Sequence, residues 1–108
     1  SLSGAKKRAQ DARIQSDMNQ IRSTAEMFYN SNGNYYNLLY DSNIVTLLAD
    51  IDQQVGTGGY ALSTAGETYC AVTQLNSGTA WCVDSTLRSY ATNTSPATCL
   101  VAGGAKCE

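Results

Sequence analysis

The chain has 108 residues, 43% of them apolar and 15% charged, with seven Lys/Arg against nine Asp/Glu for a formal net charge of -2. This is one domain's worth of core-forming sequence, too apolar for a disordered segment and too short of cations for a nucleic-acid-binding surface. The absence of histidine removes the commonest general base and the commonest metal ligand, and no apolar run reaches the roughly 18 residues that a membrane-spanning helix needs.

Residues 1–8 read SLSGAKKR. A helix beginning here would set Lys6, Lys7 and Arg8 at the positive end of its dipole, an unfavourable placement by a few tenths of a kcal/mol each. The first residue is Ser1 rather than methionine, so the expectation is a helix that starts upstream of this stretch. From about residue 5 to residue 30 the helical signal is clear. Ile14, Met18, Ile21, Ala25 and Phe28 recur at steps of four and three and form one apolar face. Asp17, Gln20, Arg22 and Glu26 fall off that stripe, with Arg22 and Glu26 spaced as an i,i+4 pair. Residues 1–13 do not share the stripe, because its backward extension meets Asp11, Gln10 and Lys7. Only Ala5, Ala9 and Ala12 offer a shallow apolar seam there. The helix therefore divides into a projecting stalk (1–13) and a half packed on its own domain (14–30). The seam, with Lys6 and Arg13 beside it, forms a candidate assembly face.

A connecting region follows over residues 31–58. Asn32-Gly33 is a turn signal, and Asp41-Ser42-Asn43 supplies helix caps. Ile44, Leu47, Leu48, Ile51 and Val55 then keep helical spacing, which predicts a short helix over 44–55, closed by Gly56, Gly58 and Gly59. Asp50 and Asp52 near its C-terminal end read as solvated carboxylates rather than a calcium site, since they do not fit an EF-hand loop.

From residue 60 the period becomes two. Strands are expected at Tyr60–Thr64, Thr68–Leu75 and Thr79–Ser85 within a sheet region 59–90, with Asn76-Ser77-Gly78 joining the last two as a hairpin. Trp81, Tyr60, Tyr69 and Tyr90 read as core and margin more than as a binding face. The tail, 91–108, is rich in Thr, Ser, Ala and Gly, and Asn93-Thr94-Ser95 matches a glycosylation sequon. Four cysteines, Cys70, Cys82, Cys99 and Cys107, contain no C-x-x-C pair. That favours two disulfides and an oxidising compartment over a zinc site. The hairpin brings Cys70 towards Cys82, with a bulge at Gly78 available to adjust register. Cys99–Cys107 would then close the tail, and the other two pairings stay open.

The chemistry of catalysis is missing. Serine or cysteine triads cannot be built without histidine, no phosphate-binding or dinucleotide loop is present, and the lysines lie near the chain ends. The expectation is a non-enzyme without a cofactor or metal.

The run AKKRAQDARIQSDMNQIRSTAEMFYNSNGNYY at 5–36 resembles the helix of a bacterial type IV pilin just beyond its hydrophobic segment. YCAVTQLNSGTAWCVDST at 69–86 resembles the central hairpin of one pilin subgroup, and the cysteine-closed C-terminus resembles the terminal disulfide loop. The resemblance implies an α+β fold, a long N-terminal helix packed on a three- to four-stranded antiparallel sheet. It also implies a structural subunit of a surface filament acting in adhesion, motility or DNA uptake. Its partners would be other copies and the assembly machinery, with membrane contact only through an upstream apolar segment. The location implied is the inner membrane before assembly and the cell surface afterwards. A secretion-system pseudopilin, or a minor pilin serving as an adhesive or DNA-binding module, are the neighbouring readings. The second needs a basic or aromatic patch on the head, which beyond residue 22 holds only Arg88 and Lys106 as cations.

Intact mass with and without reductant tests the compartment. An oxidised mass four hydrogens below the reduced one is expected, and four free thiols would overturn both the disulfide and the export readings.

Overall fold

The computed structural model describes residues 3–55, 59–92, 99 and 106–107. Helix α1 runs from Gly4 to Asn32 and is capped by Ser3, whose hydroxyl accepts from the Lys6 N–H. It ends at Gly33, which takes a left-handed conformation (φ 76°) and donates its N–H to the Tyr29 carbonyl at 2.7 Å. That conformation suits a residue without a Cβ. At 1.5 Å per residue the helix is about 43 Å long, and its 29 residues therefore set the longest dimension of the molecule, 44 Å.

A 3-10 turn at Leu38–Tyr40 leads into helix α2, Ser42–Gln54. Asp41 caps α2 by accepting from the N–H groups of Asn43 (2.9 Å) and Ile44 (3.2 Å), which satisfies two of the donors that a helix start leaves orphaned. The helix stops at Gln54, before the glycines expected to end it, and Val55 is already extended. Gly56 and Gly58 lie outside the described residues.

Four strands follow: β1 Tyr60–Thr64, β2 Tyr69–Gln74, β3 Ala80–Asp84 and β4 Ser89–Thr92. They form an antiparallel meander in sequence order. The hairpin loop between β2 and β3 is Asn76-Ser77-Gly78, with Gly78 at φ 106° and the Leu75 N–H bonded to the Thr79 carbonyl at 2.8 Å. The fold is thus α+β, a long N-terminal helix packed on a four-stranded antiparallel sheet with two disulfides.

Strand alternation gives this sheet two buried faces. The inner face, with Tyr69, Ala71 and Val83 and the partly buried Tyr60, Leu62 and Trp81, meets Ile14, Met18, Ile21 and Ala25 of α1 and Ile44, Leu48 and Ile51 of α2. Ile14, Met18, Ile21 and Ala25 are fully buried, and Phe28 packs half-buried beside them. Each large side chain sealed here contributes about 1.5–3 kcal/mol. The outer face carries Cys70, Val72, Ala80 and Cys82, covered by Cys99 and Cys107. Strand β2 is accordingly buried on both sides over Tyr69–Thr73.

The disulfide pairing corrects the expectation from the hairpin. The bonds are Cys70–Cys99 and Cys82–Cys107, with Cα separations of 5.7 and 5.9 Å. In the β2–β3 register Cys70 stands opposite Asp84, and Cys82 stands opposite Val72. The two cysteines share a face but are diagonal neighbours, and such neighbours sit about 7–8 Å apart at Cα. A disulfide spans about 4.4–6.8 Å. Each therefore bonds to a cysteine that packs on the outer face, Cys99 or Cys107.

Peptide mapping under non-reducing conditions should recover Cys70–Cys99 and Cys82–Cys107 peptides and no Cys70–Cys82 peptide. Replacing either pair with alanine should lower stability by up to about 3.5 kcal/mol on the chain-entropy model, read as a lower urea midpoint.

Candidate functional site

Residues Gly4–Ala9 are all exposed, Lys6, Lys7 and Arg8 included. Ala5, Ala9 and Ala12 lie open to solvent on one side of α1, with Lys6 next to them. Helix and head first touch at Gln10 and Asp11, earlier than the boundary at residue 13 read from hydrophobicity. The cause is polar. Asp11 is 7% exposed, and its carboxylate accepts from the backbone N–H groups of Asn76 (2.6 Å) and Ser77 (3.0 Å) at the hairpin tip. The Asn76 amide donates to Gln10 Oε1 (3.2 Å) and to the Gln54 carbonyl (2.9 Å). One hairpin turn is thus pinned to both helices. Charge-assisted bonds of this kind are worth about 1.5–3 kcal/mol.

Arg13 belongs partly to the head as well. Its Nη2 donates to Asp50 Oδ1 at 2.6 Å and its Nε to Asp50 Oδ2 at 3.0 Å, a two-pronged pair that ties α1 to α2. Asp50 is therefore not the solvated carboxylate expected, whereas Asp52 is exposed. The placement suits the helix ends, because the Arg13 cation offsets a carboxylate near the negative end of the α2 dipole. Asp17 joins the same contact. It was expected off the buried stripe, yet it is 7% exposed. Burial, then a hydrogen bond with Asp50 and the charge of Asp50, push its carboxyl up to about 7, while Arg13 opposes the rise. Asp50 is held below the usual carboxylate range, first by the hydrogen bond from Asp17 and then by that from Arg13. Glu26 does not pair with Arg22 among the described residues; its Oε1 accepts from the Tyr35 hydroxyl at 3.3 Å.

On the outer face the organising group is Asp84, which is fully buried. Its Oδ1 accepts from the Thr86 N–H (2.9 Å), the Thr86 hydroxyl (2.6 Å) and the Arg88 N–H (3.2 Å). Its Oδ2 accepts from the Cys107 N–H at 2.7 Å. Arg88 Nη1 donates to the Cys107 carbonyl at 2.6 Å and stands 3.9 Å from Asp84 Oδ2. The turn closed by Asp84 also holds Leu87 at φ 71°, a backbone conformation that costs a non-glycine residue roughly 1–2 kcal/mol. The sulfurs of Cys70, Cys82 and Cys107 lie within 4.8 Å of one another, and all three are taken by the two disulfides.

The aromatic residues separate. Tyr69 is fully buried, Tyr60 and Trp81 pack half-buried on the inner face, and Tyr90 remains 37% exposed on the outer one. The sequon Asn93-Thr94-Ser95 lies outside the described residues. Sequence periodicity missed Asp11, Asp17 and Asp84 as buried groups, since an acid on a helix or strand reads as a solvent marker. Comparison with protein-family models, with curated proteins and with solved structures gives no match for this chain.

The Asp17–Asp50 contact has a pH signature. Asp17 holds a proton in the folded state well above its ordinary value of 3.8, so its contribution is full below about pH 4 and is lost as pH rises towards 7. Asp50 is depressed, so its contribution is present above about pH 4 and is lost on further acidification. Chemical denaturation across pH should show stability declining from about pH 4.5 to 7.5 in the wild type. Asp17→Asn should flatten that decline and raise stability at pH 8 by about 1–2 kcal/mol. An unchanged profile would disprove the assignment.

Proposed function

We propose that the chain is the head and lower helix of a type IV pilin-like subunit, built into a bacterial surface filament by association with other copies of itself. The observation that carries this reading is the exposed first part of α1. Residues Gly4–Ala9 continue, without a break, the same helix whose later face is core. A helix that outruns its own domain by almost two turns leaves backbone and side chains for a neighbour to cover. Ala5, Ala9 and Ala12 leave room for another helix to approach closely, and the interruption of the apolar stripe before residue 14 matches a change of surroundings there. The resemblance of residues 5–36 and 69–86 to pilin sequences points the same way, and so do the disulfides, which suit an exported protein.

In this reading the work is mechanical assembly rather than chemistry. The stalk packs into the filament together with an apolar segment that the reading requires upstream of Ser1. The outer face of the sheet looks towards the surroundings, and a separate machine drives polymerisation.

Two measurements test it together. Antibodies raised against the purified head should label filaments along their length on intact cells. Ala9→Arg, introduced into the native gene, should reduce those filaments at least about tenfold while leaving the thermal midpoint of the purified head unchanged, because the site is exposed. Absence of labelled filaments, or full filament numbers with Ala9→Arg, would overturn the reading.

A further inference from the structure

Beyond residue 22 the sequence has two cations, Arg88 and Lys106. They are distant in the chain, yet both line one open cavity of about 580 Å³ on the outer face, together with Ser89, Tyr90 and Cys107. The convergence is built. Arg88, just before β4, and Tyr90 on it point to the same face because they alternate opposite Asp84 and Cys82. Lys106 is delivered there by its neighbour Cys107, which is fixed by the Cys82 disulfide and by the Asp84 carboxylate.

We propose that this cavity binds an anionic sugar unit, with its carboxylate against Arg88 and Lys106 and its ring against Tyr90. Three features lead to that class. The first is charge. Arg88 and Lys106 bring two cations to one cavity, and Asp84 behind it has both oxygens already engaged. The second is donor geometry. Arg88 Nη1 is anchored on the Cys107 carbonyl, which orients the planar guanidinium while its side chain stays 47% exposed. A guanidinium held this way suits a carboxylate better than a freely rotating ammonium does. Lys106 has no partner among the described residues and supplies the second donor. The third is the exposed Tyr90 ring, an apolar platform with a polar rim, of the kind on which the C–H face of a pyranose rests. The volume lies within the range for small-molecule sites, roughly 300–1,000 Å³. A nucleic acid fits poorly, since two cations make too small a basic footprint for a polyanion. The site does not depend on filament assembly, and the isolated head should bind.

The test is a titration of the ¹⁵N-labelled, oxidised protein with glucuronate, with glucose and inorganic phosphate as separate arms. Saturating shifts of the Arg88, Tyr90 and Lys106 amides are expected, with glucuronate at least about tenfold tighter than either control. Lys106→Ala and Tyr90→Ala should each weaken binding about tenfold. Lys106 is an exposed side chain, so its variant keeps the fold, checked by an unchanged thermal midpoint. Absence of saturable binding by glucuronate overturns the proposal. Phosphate binding as tightly as glucuronate overturns the sugar assignment, and glucose binding as tightly overturns the role of the two cations.

Discussion

The buried carboxylate of Asp84 is the constraint on which the outer half of the molecule hangs. A fully desolvated carboxylate is tolerated only when its oxygens are occupied by donors. Here the donors come from two places far apart in the chain: the turn between β3 and β4, and the backbone at Cys107. One side chain thus closes the last hairpin and docks the end of the chain. The two disulfides then make that docking permanent. Removing the carboxylate would leave the Thr86, Arg88 and Cys107 N–H groups without their acceptor at a buried site, so the turn and the docked chain would fail together.

The inner half uses the same device with different residues. Helix α1 is fixed not only by its apolar face but by a series of acids along its length. Asp11 holds the hairpin tip, the Arg13–Asp50 pair holds α2, and Glu26 meets Tyr35. Apolar packing against a smooth sheet sets the distance between layers but tolerates sliding along the helix axis. Directional bonds to backbone groups of the hairpin remove that freedom. The register of the stalk relative to the head is therefore defined, as a helix that transmits position over several turns requires.

The elements were legible in the sequence because each has a local cause. The spacing of Ile14, Met18, Ile21 and Ala25 marks the buried face of α1, Asp41 marks the start of α2, and Asn76-Ser77-Gly78 marks the central hairpin. The disulfide pairing was not legible, because it depends on a register two residues away from direct opposition and on where Cys99 and Cys107 sit against the outer face. The buried acids were hidden for a related reason. Asp11 and Asp84 look like surface residues until backbone donors from distant segments are placed around them, and Asp17 until Asp50 of α2 is set beside it. The cavity at Arg88 and Lys106 depends on the same tertiary fact, since the Cys82–Cys107 bond and the bonds of Cys107 to Asp84 and Arg88 make these residues neighbours. Local pattern carried the architecture, and long-range pairing carried the site.

The interleaved bonds also determine how far the end of the chain can be stretched. The shortest covalent route from Cys70 to Cys107 crosses to Cys99 and then follows the eight peptide units to Cys107. Fully extended, that route reaches about 34 Å, against roughly 125 Å for the same residues without cross-links. A tensile load on the head could strip hydrogen bonds from β2, β3 and β4, but it could not draw this region out into a long thread. The sheet would remain a short, cross-linked block that re-forms over a small distance when the load is released, while α1 and α2, which carry no covalent cross-link, would be the parts that yield.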